Sequence, residues 1–361
     1  MSVTFSFLVV LGCVADGAAP SDTLDTDTAS DTDTDTDTDT DTEPDTDTAS
    51  DTDTASDTDT DTDVSPPWDE AGFWTDPGPL AALLGADKDA EERTWYVRMA
   101  TSPDGVSWTE RGGVIVGDFN SLDLFVTEDG VILLGLVENA SIFLDVATVY
   151  AVASADLETW STHAWPVTRV DAMNLVDPAM HVRPDGRLGL VYYSASEFGV
   201  DPATIPGDHE VRRAVWGAAG WQEEPDPVFA LEGLVDPVIC ALDGTEWLLA
   251  TRASLEVIAA RAEPDGTFTQ RDAYSWDQHS VPYCAAGDGS VIVYAQQRGV
   301  EDLPSVARFD EDQFEDLGFI FPEHLWGTNN CSSPVVGRFR DEYLLFCSIN
   351  TFVERYDAPQ P

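Results

Sequence analysis

After residue 120 the chain runs in short stretches of alternating or continuous apolar residues, each pair separated by an Asp-Gly or similar turn. One such phrase occurs five times at intervals of about fifty residues: SLDLFVTEDGVILLGLVE from Ser121, LVDPAMHVRPDGRLGLVYYSA from Leu175, LVDPVICALDGTEWLLATRA from Leu234, SVPYCAAGDGSVIVYAQQ from Ser280 and CSSPVVGRFRDEYLLFCSI from Cys331. Each copy predicts a β-hairpin, because two strand-forming runs flank a tight turn. Between the copies lies a second hairpin, whose turn reads Ser-x-Asp-x-x-x-Trp at Ser102/Asp104/Trp108 and Ser154/Asp156/Trp160. Looser versions stand around Trp216 to Trp221, Pro264 to Phe268 and Asp310 to Phe314.

Repeats of this period are units that bury their faces only against one another. Four strands in each of five units predict an all-β chain, a five-bladed β-propeller. The chain enters on an outer hairpin, Thr94 to Val116, and its last repeat is an inner one, Cys331 to Asn350. N-terminal strands are therefore expected to complete the last blade, which removes two free sheet edges. Glu70 to Arg93 and Thr351 to Pro361 would be peripheral cover. A β-sandwich also suits short strands with regular turns.

Composition divides the chain further. Residues 21–66 hold 18 acidic residues and no basic one, mostly as Asp-Thr dipeptides. Such a segment cannot bury enough apolar surface to offset its ordering entropy, so residues 14–66 read as a disordered spacer and 67–361 as the folded domain. The Asp-Thr alternation lacks the glycines that wrap a loop around calcium. The domain itself carries 49 acidic against 17 basic residues, a formal charge of −32, and Lys88 is its single lysine. Nucleic acid is excluded as a partner on that balance, since phosphate binding needs a basic stripe.

Residues 1–13 contain a brief apolar run, Phe5 to Leu11, too short to span a bilayer. It ends in Val10-Leu11-Gly12-Cys13 and is similar to a bacterial lipoprotein signal, with Cys13 as the lipidated residue; an ordinary secretory signal is the alternative. Either reading exports the chain, to the outer membrane or cell surface or as a secreted protein, with membrane contact only through the lipid. Cys331 and Cys347 lie eight residues to either side of Phe339, in the turn at Phe339 and Arg340, and a disulfide is expected there. Cys240 and Cys284 fall on adjacent inner strands and are expected to form a second. None of the cysteines has zinc-site spacing.

The starts of the inner strands converge on one funnel. There stand Asp177 and Asp236, each in Leu-Val-Asp-Pro, with Asp123 near the equivalent place in the first copy. Three carboxylates facing one cavity repel, so at least one pKa is expected to rise, the condition for pairing a general acid with a general base. The Asp-Gly and Ser-x-Asp turns read as structural, because such side chains bond their own backbone. Trp276 and Trp326 sit before the fourth and fifth inner strands, where their faces could stack on sugar rings or pack between blades. His181, His279 and His324 are candidates for holding an ion or water on the axis; His279 is also a candidate ligand-binding residue. No cofactor is expected beyond such a structural ion, and the domain is expected to be monomeric.

The Asp-Pro inner strand, the Asp-Gly turn and the Ser-x-Asp-Leu-x-x-Trp hairpin at Ser154 to Trp160 resemble the five-bladed propellers of glycoside hydrolase family 43 and related furanosidases, over about residues 90 to 350. The resemblance implies an Asp general base in the first blade, an Asp that tunes and orients in the second, and a Glu general acid in the third. Carried over, these are Asp123, Asp177 and either Glu232 or Asp236, because the family's Glu-Gly-Pro is replaced here by Glu232 in the entering loop and Asp236 at the repeat position. An active enzyme of this type would invert an arabinan- or xylan-like substrate, with carboxyls roughly 6.5 to 9.5 Å apart. A sugar-binding or protein-binding propeller without turnover is the alternative.

Overall fold

The computed structural model describes residues 64–85, 95–105, 107–137, 147–170, 173–195, 208–252, 256–286, 291–297, 303–310, 313–319, 325 and 331–350. Cys13, the spacer to residue 63, His324, Trp326 and the C-terminal cover lie outside the described residues. Within them the chain is all-β apart from two single 3-10 turns, Pro67–Asp69 and Ala81–Leu83.

The strands pair in chain order as antiparallel modules. The first holds β3 (Phe119–Val126), β4 (Val131–Val137), β5 (Thr148–Ser154) and β6 (Ser161–Thr168). The second holds β7 (Asn174–Val182), β8 (Leu188–Ala195), β9 (Asp208–Gly217) and β10 (Gly220–Glu223), with β11 (Phe229–Glu232) taking the other half of the β9 edge. A third module is β12 (Leu234–Leu242), β13 (Thr245–Arg252), β14 (Glu256–Ala262) and β15 (Phe268–Asp277). A fourth is β16 (His279–Ala286), β17 (Val291–Gln297), β18 (Leu303–Phe309) and β19 (Phe314–Phe319). The remaining sheet joins both ends of the domain, in the order β2 (Thr109–Gly117), β1 (Trp95–Ser102), β21 (Glu342–Asn350), β20 (Val335–Phe339). There β1 and β21 pair continuously from Trp95–Asn350 to Ser102–Tyr343.

The innermost strands neighbour one another in a cycle: β3 beside β7, β7 beside β12, β12 beside β16, β16 beside β20, and β20 beside β3. Interior strands covered on both faces read as continuous apolar runs. Thus six of the seven residues of β4 are buried, whereas β2 has solvent-facing residues until its last three positions. Cores form where modules face each other. Trp247 of β13 meets Phe309 of β18 edge-on with ring centroids 5.1 Å apart, and Trp221, Trp165 and Tyr192 fill the seam between the first two modules. Those two modules are also joined edge to edge, by a short parallel pairing of β6 with β10 at Trp221–Val167 and Gln222–Thr168.

Both expected disulfides are present. Cys240 of β12 bonds Cys284 of β16 and so ties the third module to the fourth, while Cys331 bonds Cys347 of β21. The turns also behave as their sequence indicates. Ser102 Oγ accepts the Gly105 N–H at 2.9 Å, and Asp156 Oδ1 accepts the Thr159 N–H at 2.7 Å.

Residues 64–85 lie as cover over the outside of the sheets and anchor there through four buried residues, Pro67, Phe73, Leu80 and Leu83. Phe73 stacks on His163 with ring centroids 3.9 Å apart, Trp68 packs on Phe125, and Leu80 and Leu83 are buried. The Thr162 hydroxyl donates to Pro77 O at 2.6 Å and accepts the Leu80 N–H at 2.9 Å. Between these contacts Gly78 adopts φ +64°, and a Cβ there would stand 1.8 Å from Thr162 O. Gly78→Ala is expected to destabilise the domain by about 2 kcal/mol or more, since both the left-handed backbone and the docking are penalised. An unchanged thermal midpoint would show that this segment does not bear on stability.

Candidate functional site

Four of the inner strands carry the same irregularity. In β3, β7, β12 and β16 the register with the next strand slips by one residue, between Asn120 and Asp123, Val176 and Ala179, Val235 and Val238, and Ser280 and Tyr283. The bulged residues Ser121, Asp177, Asp236 and Val281 all have left-handed backbones, with φ between 49° and 54°. Such conformations cost about 1–3 kcal/mol each in residues other than glycine and persist only where the surroundings impose them. A proline follows in three of the four, Pro178, Pro237 and Pro282, and lacking an N–H it leaves no ladder donor unpaired at the bulge. A bulge re-aims the side chain. All four bulged residues line one small, open hollow between the inner strands.

Asp123, Asp177 and Asp236 are all on its wall. The Asp177 carboxyl is hydrogen-bonded to the Asp236 carboxyl, to the Ser121 hydroxyl and to the Asp236 N–H. Burial raises Asp177 well above the usual carboxylate range, and the adjoining Asp236 raises it further through charge repulsion and the shared hydrogen bond. Two adjoining buried carboxyls that repel and hydrogen-bond in this way resist ionising together. Tyr193 of β8 packs beside them. Burial pushes its phenol upward, with the charges of Asp177 and Asp236 adding to the effect. Its ring lies parallel to His209, whose Nδ1 donates to Leu234 O at 2.8 Å.

Asp123 is placed differently from the sequence expectation. The register equivalent of Asp177 in the first module is Ser121, and Asp123 lies two residues further on, past the bulge. It is buried, and its Oδ2 accepts the Met180 N–H of β7 at 2.9 Å. Burial pushes its pKa up to about 7, against the stabilising N–H groups of Met180 and Leu124. The signal for Ser121 was spacing: Ser121 and Asp177 each precede their turn aspartates, Asp129 and Asp185, by eight residues.

The other candidates separate. Glu232 is exposed at the end of β11, paired with Asp208 on the β9 edge, and is absent from the wall of the hollow. Trp276, expected at the mouth, is buried in β15, stacked on His279 at 3.8 Å and aligned with Phe314. Its outer-strand position makes it packing between blades, the other of the two roles its sequence allowed. His279 is buried with it and donates from Nδ1 to Asp277 O at 2.7 Å. His181 is buried 3.6 Å from Glu246, and burial, with the charges of Arg213 and Arg183, pushes its pKa down to about 3. Among the described residues no group of three or more His, Cys, Asp or Glu is arranged to hold a metal ion.

No protein-family model matches the sequence, and a search of the curated proteins finds no match. Solved structures similar to the chain include an α-L-arabinofuranosidase from Clostridium thermocellum, at 12% identity and TM-score 0.46, covering 62% of this chain and 79% of that one. An exo-1,5-α-L-arabinanase from a bovine ruminal metagenomic library gives 8% identity and TM-score 0.46 over 65% of this chain and 93% of that one. A family 43 endo-arabinanase from Bacillus licheniformis gives 13% identity and TM-score 0.42 over 64% and 94%. Family 43 is the group that the repeat motifs resemble. Likenesses this distant bear on neither activity nor individual residues.

Proposed function

We propose that residues 67–361 form a five-bladed β-propeller of the glycoside hydrolase type that binds a carbohydrate in its axial hollow. The cyclic order of the five inner strands supports the blade count, and the pairing of β1 with β21 supports closure by the N-terminal strands. One observation carries the function: three consecutive modules deliver Asp123, Asp177 and Asp236 to a single hollow. Carboxyl oxygens are the acceptors that sugar hydroxyls need. In the same reading residues 1–13 export the chain, Cys13 bears a lipid, and residues 14–66 are an acidic tether that holds a monomeric domain off a membrane.

Binding without turnover is favoured by Ser121. The first-module position corresponding to Asp177 carries a hydroxyl where the family resemblance calls for a base. Asp177 and Asp236, in direct hydrogen bond, are too close to flank a glycosidic bond with water between them. A second reading is inverting hydrolysis, with Asp236 as acid, Asp177 tuning it and Asp123 as base. It is favoured by the place of Asp123 on the same wall and by its titration near neutrality, where a general base works best.

A glycan array run beside aryl arabinofuranoside, arabinan and xylan cleavage assays tests both. Wild type is expected to retain a glycan and release no product, and Asp177→Asn to lose retention by about tenfold or more. Turnover abolished by Asp123→Asn would replace the binding reading with the second. The absence of both retention and turnover would remove the carbohydrate reading.

A further inference from the structure

Among the described residues the charged groups that line the hollow are of one sign. These are Asp123, Asp177 and Asp236, with no described Lys, Arg or His on the wall; the remaining described lining is Ser121 and small or apolar side chains. The domain around it carries a formal charge of −32, so the field at the mouth also draws cations and repels anions. Resting on the carbohydrate reading above, we propose that the hollow selects a sugar bearing a protonated amine, an amino sugar, over its neutral counterpart, and rejects acidic sugars.

The stoichiometry follows from the acid pair. Without ligand, one proton lies between the Asp177 and Asp236 carboxyls, standing in for the positive charge the pair lacks. An ammonium group has three N–H donors. It can bond one oxygen of each carboxyl and the Ser121 Oγ, all on the same wall. Its charge then lets both carboxylates ionise, and the shared proton leaves to solvent: R–NH₃⁺ enters, H⁺ departs, and the charge of the site is unchanged. A neutral hydroxyl can do neither, and leaves the proton in place. A carboxylate or sulfate would add a second negative charge beside the singly charged pair at low dielectric, which is strongly unfavourable. Tyr193 faces the pair and Asp123 stands on the same wall; the phenol holds its proton throughout.

Titration calorimetry near neutral pH tests this with glucosamine against glucose, galactosamine against galactose, and glucuronate, each in two buffers of different ionisation enthalpy. The expected result is at least about tenfold tighter binding of the hexosamine of one pair, no binding of glucuronate, and release of about one proton per amine bound. Asp236→Asn, its melting curve showing a folded domain, should erase both the preference and the proton release. Equal affinity for amine and neutral sugar, or heats independent of buffer, overturns the inference and leaves the carbohydrate site standing. No binding by any of these sugars, together with an empty glycan array, overturns both.

Discussion

Replacing Glu223 by alanine should lower the unfolding free energy by about 3–5 kcal/mol, the cost of leaving buried charge uncompensated. Glu223 ends β10, its side chain has no exposed surface, and it holds two guanidiniums. Arg169 Nε donates to one oxygen at 2.6 Å and Arg212 donates to the other at 2.9 Å. Arg169 also donates to Met173 O and the Ser194 hydroxyl and lies over the Tyr192 ring, so the cluster spans the seam where β6 and β10 run parallel. Arg212 keeps Glu210 as a second partner. Glu223→Gln should cost less, since it retains an acceptor. A loss under about 1 kcal/mol for Glu223→Ala in urea unfolding would show that the seam is not held by this group.

The second large effect is a fall in stability as pH rises from about 4 to about 7, to which Asp123 contributes alongside Asp177. The folded pKa of Asp123 is raised from 3.8 to about 7, so across that window the folded state keeps a proton that the unfolded state has lost. Stability therefore declines with rising pH. A shift of this size corresponds to about 4 kcal/mol at most. Asp156 has the opposite sign: the Thr159 and Glu158 N–H groups lower its pKa, so its contribution is lost as pH falls through the depressed value. The comparison with Asp123→Asn isolates the first term, because the amide does not titrate. The variant should show a flatter profile over that window, and identical profiles would mean that Asp123 is ionised in the folded protein.

The repeat pattern made the strands readable because period-2 alternation and Asp-Gly turns are local signals. The two disulfides followed from positions within hairpins. What the pattern concealed is the bulge. It inserts a residue without disturbing the apolar run, so the residue aimed into the hollow cannot be found by alternation alone. Asp177 and Asp236 stand out in the sequence because Leu-Val-Asp-Pro recurs at the same place in two copies of the repeat. Ser121 is followed by Leu122 instead of proline, and the nearby Asp123 drew the assignment. For Trp276 the sequence leaves stacking on sugar and packing between blades both open, and β15, which continues to Asp277, carries the ring into the core. The docking of Phe73 on His163, ninety residues away in sequence, left no periodic trace, because it depends on three-dimensional proximity alone.

Carboxyl ¹³C NMR of aspartate-labelled protein reads the acid pair directly, with Asp177→Asn and Asp236→Asn for assignment. The Asp177 signal is expected to titrate well above the ordinary carboxylate range and in concert with Asp236, and both signals to respond when a retained sugar is added. Independent titrations in the ordinary range, with no response to sugar, would contradict a coupled acid pair in the hollow.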